Sequence, residues 1–201
     1  MKKLLLILLC LPMIGFGQTP NEYLSKAEQN ISNGEFEDAI YNCTRALRID
    51  PNYAKAYNKR GIVYDRLGDY EYAIDDYTRA IRIDPDYADA YNNRGFTYNN
   101  LGEYEKAIFD YTRAIRIDPD YAEAYNNRGV TYDNLRDYED AIAEFTRAIR
   151  IDPDYAEAYY NRGLAKEGTE LSYCSDYKKC CDLGYEGCCG SYNGQSGQSA
   201  C

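Results

Sequence analysis

The chain repeats itself. The tripeptide Ile-Asp-Pro ends at Pro51, Pro85, Pro119 and Pro153, a period of 34 residues. The stretch from Ala90 to Tyr121 recurs, with few changes, one period earlier and one period later. A fixed period of this length argues against a single spherical core. Each unit buries its apolar face only against its neighbours, so the chain grows as a solenoid. The total of 201 residues then measures the number of units, not the number of domains.

The pattern inside one unit is helix-turn-helix. In the third copy, Tyr91, Gly95 and Tyr98 have helical spacing within Ala88 to Asn100, and Leu101-Gly102 stops that helix. A second helix is expected from about Tyr104 to Ile117, with Ala107, Ile108, Tyr111, Ala114 and Ile115 on one face. Asp118-Pro119 ends it, because the residue before proline avoids the helical region. Asp120 is then placed to cap the next helix. Asp110 and Arg113, three residues apart with Glu105 before them, are helix-spaced charges of both signs.

The set Tyr91, Gly95, Tyr98, Ala107, Tyr111, Ala114 and Pro119 resembles the tetratricopeptide repeat, with tyrosine where that family often has tryptophan. It returns as Tyr57, Gly61, Tyr64, Ala73, Tyr77, Ala80 and Pro85, and as Tyr125, Gly129, Tyr132, Ala141, Phe145, Ala148 and Pro153. A weaker first copy reads Tyr23, Ala27, Asn30, Ala39, Cys43, Ala46 and Pro51, and a fifth begins with Tyr159 and Gly163. The resemblance implies an all-α, right-handed α-solenoid of antiparallel helix pairs. Its repeats fall near 20–53, 54–87, 88–121 and 122–155, within a solenoid of 18–169. The fifth begins at 156. Residues 170–201 form a degenerate repeat helix, read as Glu170 to Leu183, and a Cys-rich, Gly/Ser/Gln-rich tail.

Composition narrows the chemistry. There is no histidine, which removes the commonest general base, the Ser-His and Cys-His pairs and most zinc-hydrolase sites. No Gly-rich phosphate loop or nucleophile elbow appears. The formal charge of −10 opposes nucleic acid or an anionic lipid surface as partner. No enzymatic activity and no cofactor are expected. Most of the 24 tyrosines sit at recurring landmarks and read as core packing rather than as a stacking platform. Asp84, Asp118 and Asp152 before the prolines, and Asp86, Asp120 and Asp154 after them, read as turn residues rather than an acid–base pair.

Met1 to Gly17 reads as an export signal. Lys2 and Lys3 precede a short apolar run, and Gly15 and Gly17 supply the small residues before cleavage at Gln18. The run is too short for a membrane span, so none is expected after signal removal. The mature chain, with 21 basic against 33 acidic residues, is expected in a bacterial periplasm or secreted.

Six cysteines lie in the last 28 residues: Cys174, Cys180, Cys181, Cys188, Cys189 and Cys201. In an exported protein such a cluster reads first as disulfides. A bridge from Cys174 to Cys180 or Cys181 inside one helix would have to span about 9–10 Å between Cα atoms, beyond disulfide reach. The stretch Cys180-Cys181-Asp-Leu-Gly-Tyr-Glu-Gly-Cys188-Cys189 resembles the Sel-like cysteine-rich repeats. That resemblance implies a bridge across the turn, from Cys181 to Cys189 or from Cys180 to Cys188, stapling the open end of the solenoid. A thiol redox or metal-binding role is the alternative, though the usual Cys-x-x-Cys spacing is absent. Cys43, at an aromatic landmark of the first copy, reads as a small buried residue.

The family resemblance also places a groove. First helices line the concave side, and their exposed faces make ligand contacts. On this sequence one row is Asn58, Asn92, Asn126 and Tyr160; a second is Ile62, Phe96, Val130 and Leu164. A third is Asp65, Asn99, Asp133 and Glu167, and a fourth is Lys55, Asp89, Glu123 and Glu157. Such rows suit a protein or peptide with basic and apolar side chains. The asparagines either meet that ligand or bond to the adjacent helix. The family's clamp for C-terminal carboxylates needs Lys and Arg in the groove, and only Lys55 and Lys59 are near. The expected function is a non-catalytic protein-binding scaffold. The alternative in another class is a carbohydrate- or peptidoglycan-associated, enzyme-accessory role.

Overall fold

A computed structural model describes residues 18–169 and 171–188. The export segment, Cys189 and Cys201 lie outside the described residues. Within the described residues, ten α-helices follow in order: α1 (Pro20–Asn33), α2 (Phe36–Ile49), α3 (Ala54–Leu67), α4 (Tyr70–Ile83), α5 (Ala88–Asn100), α6 (Tyr104–Ile117), α7 (Ala122–Asn134), α8 (Tyr138–Ile151), α9 (Ala156–Gly168) and α10 (Cys174–Asp182). They form five pairs, each packed as a hairpin. Every second helix also packs on the first helix of the next pair. First helices touch one another along the row α1, α3, α5, α7 and α9, which places them on the inner side of the stack.

Each boundary has a local cause. At the start, the Thr19 hydroxyl accepts the Glu22 N–H and Glu22 reaches back to the Thr19 N–H, with Pro20 in the first turn. Within pairs, the first helix is stopped by a left-handed residue: Gly34, Gly68 and Gly102 at φ +77°, +82° and +74°. In the fourth pair Arg136 takes that conformation at φ +66° despite its Cβ. Between pairs, the aspartate before proline makes the turn. The carboxylates of Asp50, Asp84, Asp118 and Asp152 accept the N–H two residues on at 3.0–3.1 Å. This corrects the role expected for Asp120. Tyr121 is the residue preceding α7, and no side chain caps that helix. Asp120 contributes its N–H to the turn instead, donating to the Asp118 carboxylate.

The core is a line of small residues facing rings. Ala73, Ala80, Ala90, Ala107, Ala114, Ala124, Ala141, Ala148 and Ala158 are fully buried. Inside each pair a glycine faces the ring of the second helix: Gly61 meets Tyr77, Gly95 meets Tyr111, Gly129 meets Phe145 and Gly163 meets Tyr177. A Cβ on Gly95 would lie 2.9 Å from Cε1 of Tyr111, so the glycine sets how closely the helices approach. The first pair departs from this, with Ala27 and the smaller Cys43 buried in those places.

An arginine on each first helix from α3 to α9 then ties three helices together. Arg60, Arg94 and Arg162 fork onto Asp76, Asp110 and Asp176 of their own pair with N···O distances of 2.6–3.2 Å. Arg128 puts both nitrogens on one oxygen of Glu144, at 3.0 and 2.7 Å. The remaining nitrogen of each reaches back to a threonine of the preceding pair: Thr44, Thr78, Thr112 or Thr146, at 2.9–3.1 Å. The carboxylate of Asp110 therefore pairs across the hairpin with Arg94, not along its own helix with Arg113. Arg113 instead lies over the Tyr91 ring, 5.5 Å from its centroid.

The fifth pair is the end of the stack. Its connection is two residues shorter, yet Asp176 and Tyr177 occupy the places of Asp110 and Tyr111. The second helix begins only at Cys174, four residues later than its sequence suggests. Leu171 instead turns its N–H onto the Lys166 carbonyl. Where earlier pairs bury an alanine against the next first helix, this one buries Cys180, disulfide-bonded to Cys188 with Cα atoms 5.9 Å apart. Of the two bridges left open by the sequence, Cys180–Cys188 is formed; Cys181–Cys189 involves a residue outside the described ones. Cys174 and Cys181 are disulfide-bonded as well.

Two outcomes are expected. Gly95→Ala should cost about 1–3 kcal/mol through forced separation from Tyr111, read as a lower urea midpoint; an unchanged midpoint would contradict the close-approach argument. Alkali should also destabilise the fold. Burial pushes the Cys43 thiol up to about 12 and holds the Tyr77 and Tyr111 phenols above their ordinary range. Folded values raised above unfolded ones leave stability whole at neutral pH and remove it as pH climbs past about 9–10, where the unfolded groups ionise. Thermal midpoints at pH 8 and pH 11 check this, and equal midpoints would oppose it.

Candidate functional site

The inner face presents four residues per first helix, and the structure sorts them into two kinds. Asn58, Asn92 and Asn126 are 2%, 1% and 0% exposed. They are buried beneath the groove, Asn92 at the floor of the hollow described next, and their side chains bond to the next pair. The Asn58 oxygen accepts from Asn93 at 3.1 Å, Asn92 from Asn127 at 3.1 Å, and Asn126 from Asn161 at 3.0 Å. The Asn58 amide donates to the Tyr87 hydroxyl, and that of Asn92 to Glu123. The sequence left open whether these asparagines face a ligand or the adjacent helix, and burial decides for the helix. Tyr160, in the same row, belongs to the end of the stack, with its ring beside Tyr177 and Tyr185 at centroid distances of 6.1 and 5.5 Å.

The apolar row is different. Phe96 is 45% exposed and Leu164 40%, while Ile62 and Val130 are half-buried. Phe96 and Ile62 share a hollow of about 440 Å³ with Asp65, Arg66, Asn92 and Glu123. The five expected site residues Ile62, Asp65, Asn92, Phe96 and Glu123 thus converge on one concavity between α3 and α5, with α7 at its edge. A second hollow of about 210 Å³ adjoins it through Ile62 and Arg66, toward Glu28, Ile31 and Lys59. The two form a continuous inner surface.

Electrostatics within this surface are uneven. Asp65 accepts the Thr97 hydroxyl at 2.6 Å, and burial raises its carboxyl above the ordinary range against the pull of that bond. Burial raises Asp133 likewise. Asn99 accepts from Thr131 at 3.0 Å and from Asn134 at 3.2 Å, so its oxygen is occupied. Asp89 and Glu123 remain exposed, and their charge helps burial hold the Tyr121 phenol above its usual value. Lys59 is paired with Glu28 at 3.2 Å, while Lys55 and Arg66 are exposed. Arg66 was missed in the sequence. The available signal was its place beside Asp65, where the following copies carry Asn100 and Asn134.

The surface offers apolar contact and fixed charge. Among the described residues, no group of three His, Cys, Asp or Glu side chains is disposed to hold a metal ion. No described helix is long and apolar enough to cross a membrane.

Comparisons agree with this architecture. The TPR repeat family matches residues 30–68, 66–102 and 137–168, and two tetratricopeptide repeat profiles match 88–121 and 110–143. The chain belongs to the tetratricopeptide repeat family. These matches end at residue 168, so the Sel-like resemblance of the cysteine-rich end gains nothing from them. Among solved structures, a MamA protein is 29% identical with a TM-score of 0.69, over 82% of this chain and 91% of that one. TTC0263, a thermophilic TPR protein of Thermus thermophilus, is 19% identical with a TM-score of 0.72, over 87% and 97%. YrrB, described as a TPR protein with an unusual peptide-binding site, is 24% identical with a TM-score of 0.65, over 86% and 91%. The last two likenesses are of fold. No match was found among curated proteins.

The division of the inner face has a direct consequence. Asn92→Ala should lower stability by about 1–3 kcal/mol, since it removes a buried side chain and strands the half-buried amide of Asn127. Phe96→Ser should leave stability within about 0.5 kcal/mol, as expected of an exposed surface position. Urea melts of the two variants test the assignment, and a reversed order would overturn it.

Proposed function

We propose that this protein is a non-catalytic interaction scaffold, exported to the bacterial envelope, that holds a peptide or protein segment along its concave face. The observation behind this reading is the hollow in which the half-open Phe96 and Ile62 stand between Asp65, Glu123 and Arg66. An apolar floor with charges at its rim, built on helices whose packing is satisfied elsewhere, is the anatomy of a binding surface. Export is supported by the oxidised cysteines at the C-terminal end, since such bridges persist in oxidising compartments. The basic character of the partner follows from the exposed carboxylates Asp89 and Glu123 and from the overall charge of −10.

The test is partner capture from envelope extracts with the chain from Gln18 onward, beside a variant carrying Ile62→Ser, Phe96→Ser and Glu123→Lys. The variant should keep its helical circular dichroism and lose the captured partner. Equal capture by both proteins would place binding elsewhere on the molecule.

A further inference from the structure

The spacing and polarity of the inner face define its occupant further; this step rests on the groove reading above. Ile62, Phe96, Val130 and Leu164 occupy the same position on four successive first helices. Helices in contact lie about 8–10 Å apart, so the apolar side chains recur at about that interval along the groove. A chain lying across them must present its own apolar side chains at the same interval. A β-strand returns a side chain to one face every second residue, about 6.8 Å, and drifts out of step after one helix. A polyproline II chain returns to one face every third residue, about 9.3 Å, and keeps step. It also needs no hydrogen bonds to hold its shape, which suits a floor whose asparagine oxygens are already taken in the Asn92–Asn127 bond and its equivalents.

The charges add a direction. The α3 end is net positive: Lys55 and Arg66 are exposed there against the single carboxylate of Asp65, while Lys59 in the second hollow is paired with Glu28. From α5 onward, the position of Lys55 is taken by Asp89, Glu123 and Glu157, all exposed. The inner face is therefore an electrostatic gradient, positive at the second pair and negative over the next three.

We infer that the groove takes a polyproline II segment with an apolar side chain at every third residue, acidic where it crosses α3 and basic where it crosses α5 to α9. Four apolar contacts require about ten residues. The stack itself supplies the regular spacing, but nothing in it demands the change of charge, since a uniformly charged groove would pack equally well.

Fluorescence anisotropy with labelled peptides of about twelve residues tests both parts. One peptide carries Leu at every third position in a Pro-rich background, with Glu at one end and Lys at the other. A second has the same composition with Leu at every second position, and a third is uniformly basic with period three. The first should bind at least ten-fold tighter than the second. In the protein variant Lys55→Glu with Arg66→Glu, the first peptide should weaken ten-fold or more while the uniformly basic one holds or gains. Equal binding of the first two peptides overturns the spacing. Equal loss of both period-three peptides on that protein variant overturns the polarity. If no peptide binds, yet partner capture still depends on Ile62, Phe96 and Glu123, this inference falls and the groove reading stands. If capture is also indifferent to those residues, both fall.

Discussion

From the second pair onward, the stack depends on a ring resting on a glycine. Gly61, Gly95, Gly129 and Gly163 each let the aromatic side chain of the facing helix close to a distance that no Cβ would permit. That approach fixes the geometry of each hairpin, and the hairpin fixes the place of the arginine that forks onto its carboxylate. The arginine, tied also to the preceding pair, fixes the angle between units. Burying these charges is tolerable because each fork is bidentate or shared and the guanidinium is stacked on tyrosine. The line of buried alanines then sets how near consecutive units come.

The same hierarchy explains why a binding surface is available. A first helix has one side against its partner, one against the previous pair and one against the next. What remains is a narrow strip on the inside of the curve. Phe96 and Glu123 lie on that strip, while Asn92, one turn before Phe96, is already inside the joint. A residue's position relative to that boundary, more than its chemistry, decides whether it can meet a partner.

Much of this was legible in the sequence, for a physical reason. A 34-residue period with Gly95, Tyr111, Ala114 and Pro119 in register specifies helix pairs, their closest contact and their ends, because each landmark acts within one unit or its nearest neighbour. The apolar row was also legible, and Ile62, Phe96 and Glu123 do converge. What resisted reading depends on rotation by a fraction of a turn. Asn92 and Phe96 are four residues apart and nominally on one face, yet the first is sealed and the second is open. Asp110 has Arg113 at helical distance and pairs with Arg94, because a buried carboxylate takes the partner that burial brings to it. Cys180 and Cys181 were indistinguishable by spacing; only helix phase turns Cys180 into the place held by alanine in the units before it.

The asparagine joint has a consequence for how such a chain can lengthen. Asn92 accepts from the unit after it, and Asn93 donates to the unit before it. Plug and socket sit side by side on one segment, so copying a unit copies both halves of its own coupling. A duplicated unit arrives already able to join its source at either end, with no second surface to invent. The run stops where one half or both are lost. The first unit has Leu24 and Ser25 in these places, so Lys59 turns to Glu28 instead. The fifth keeps the plug, Asn161, but has Tyr160 for a socket, and there the chain closes on itself through Cys180 and Cys188.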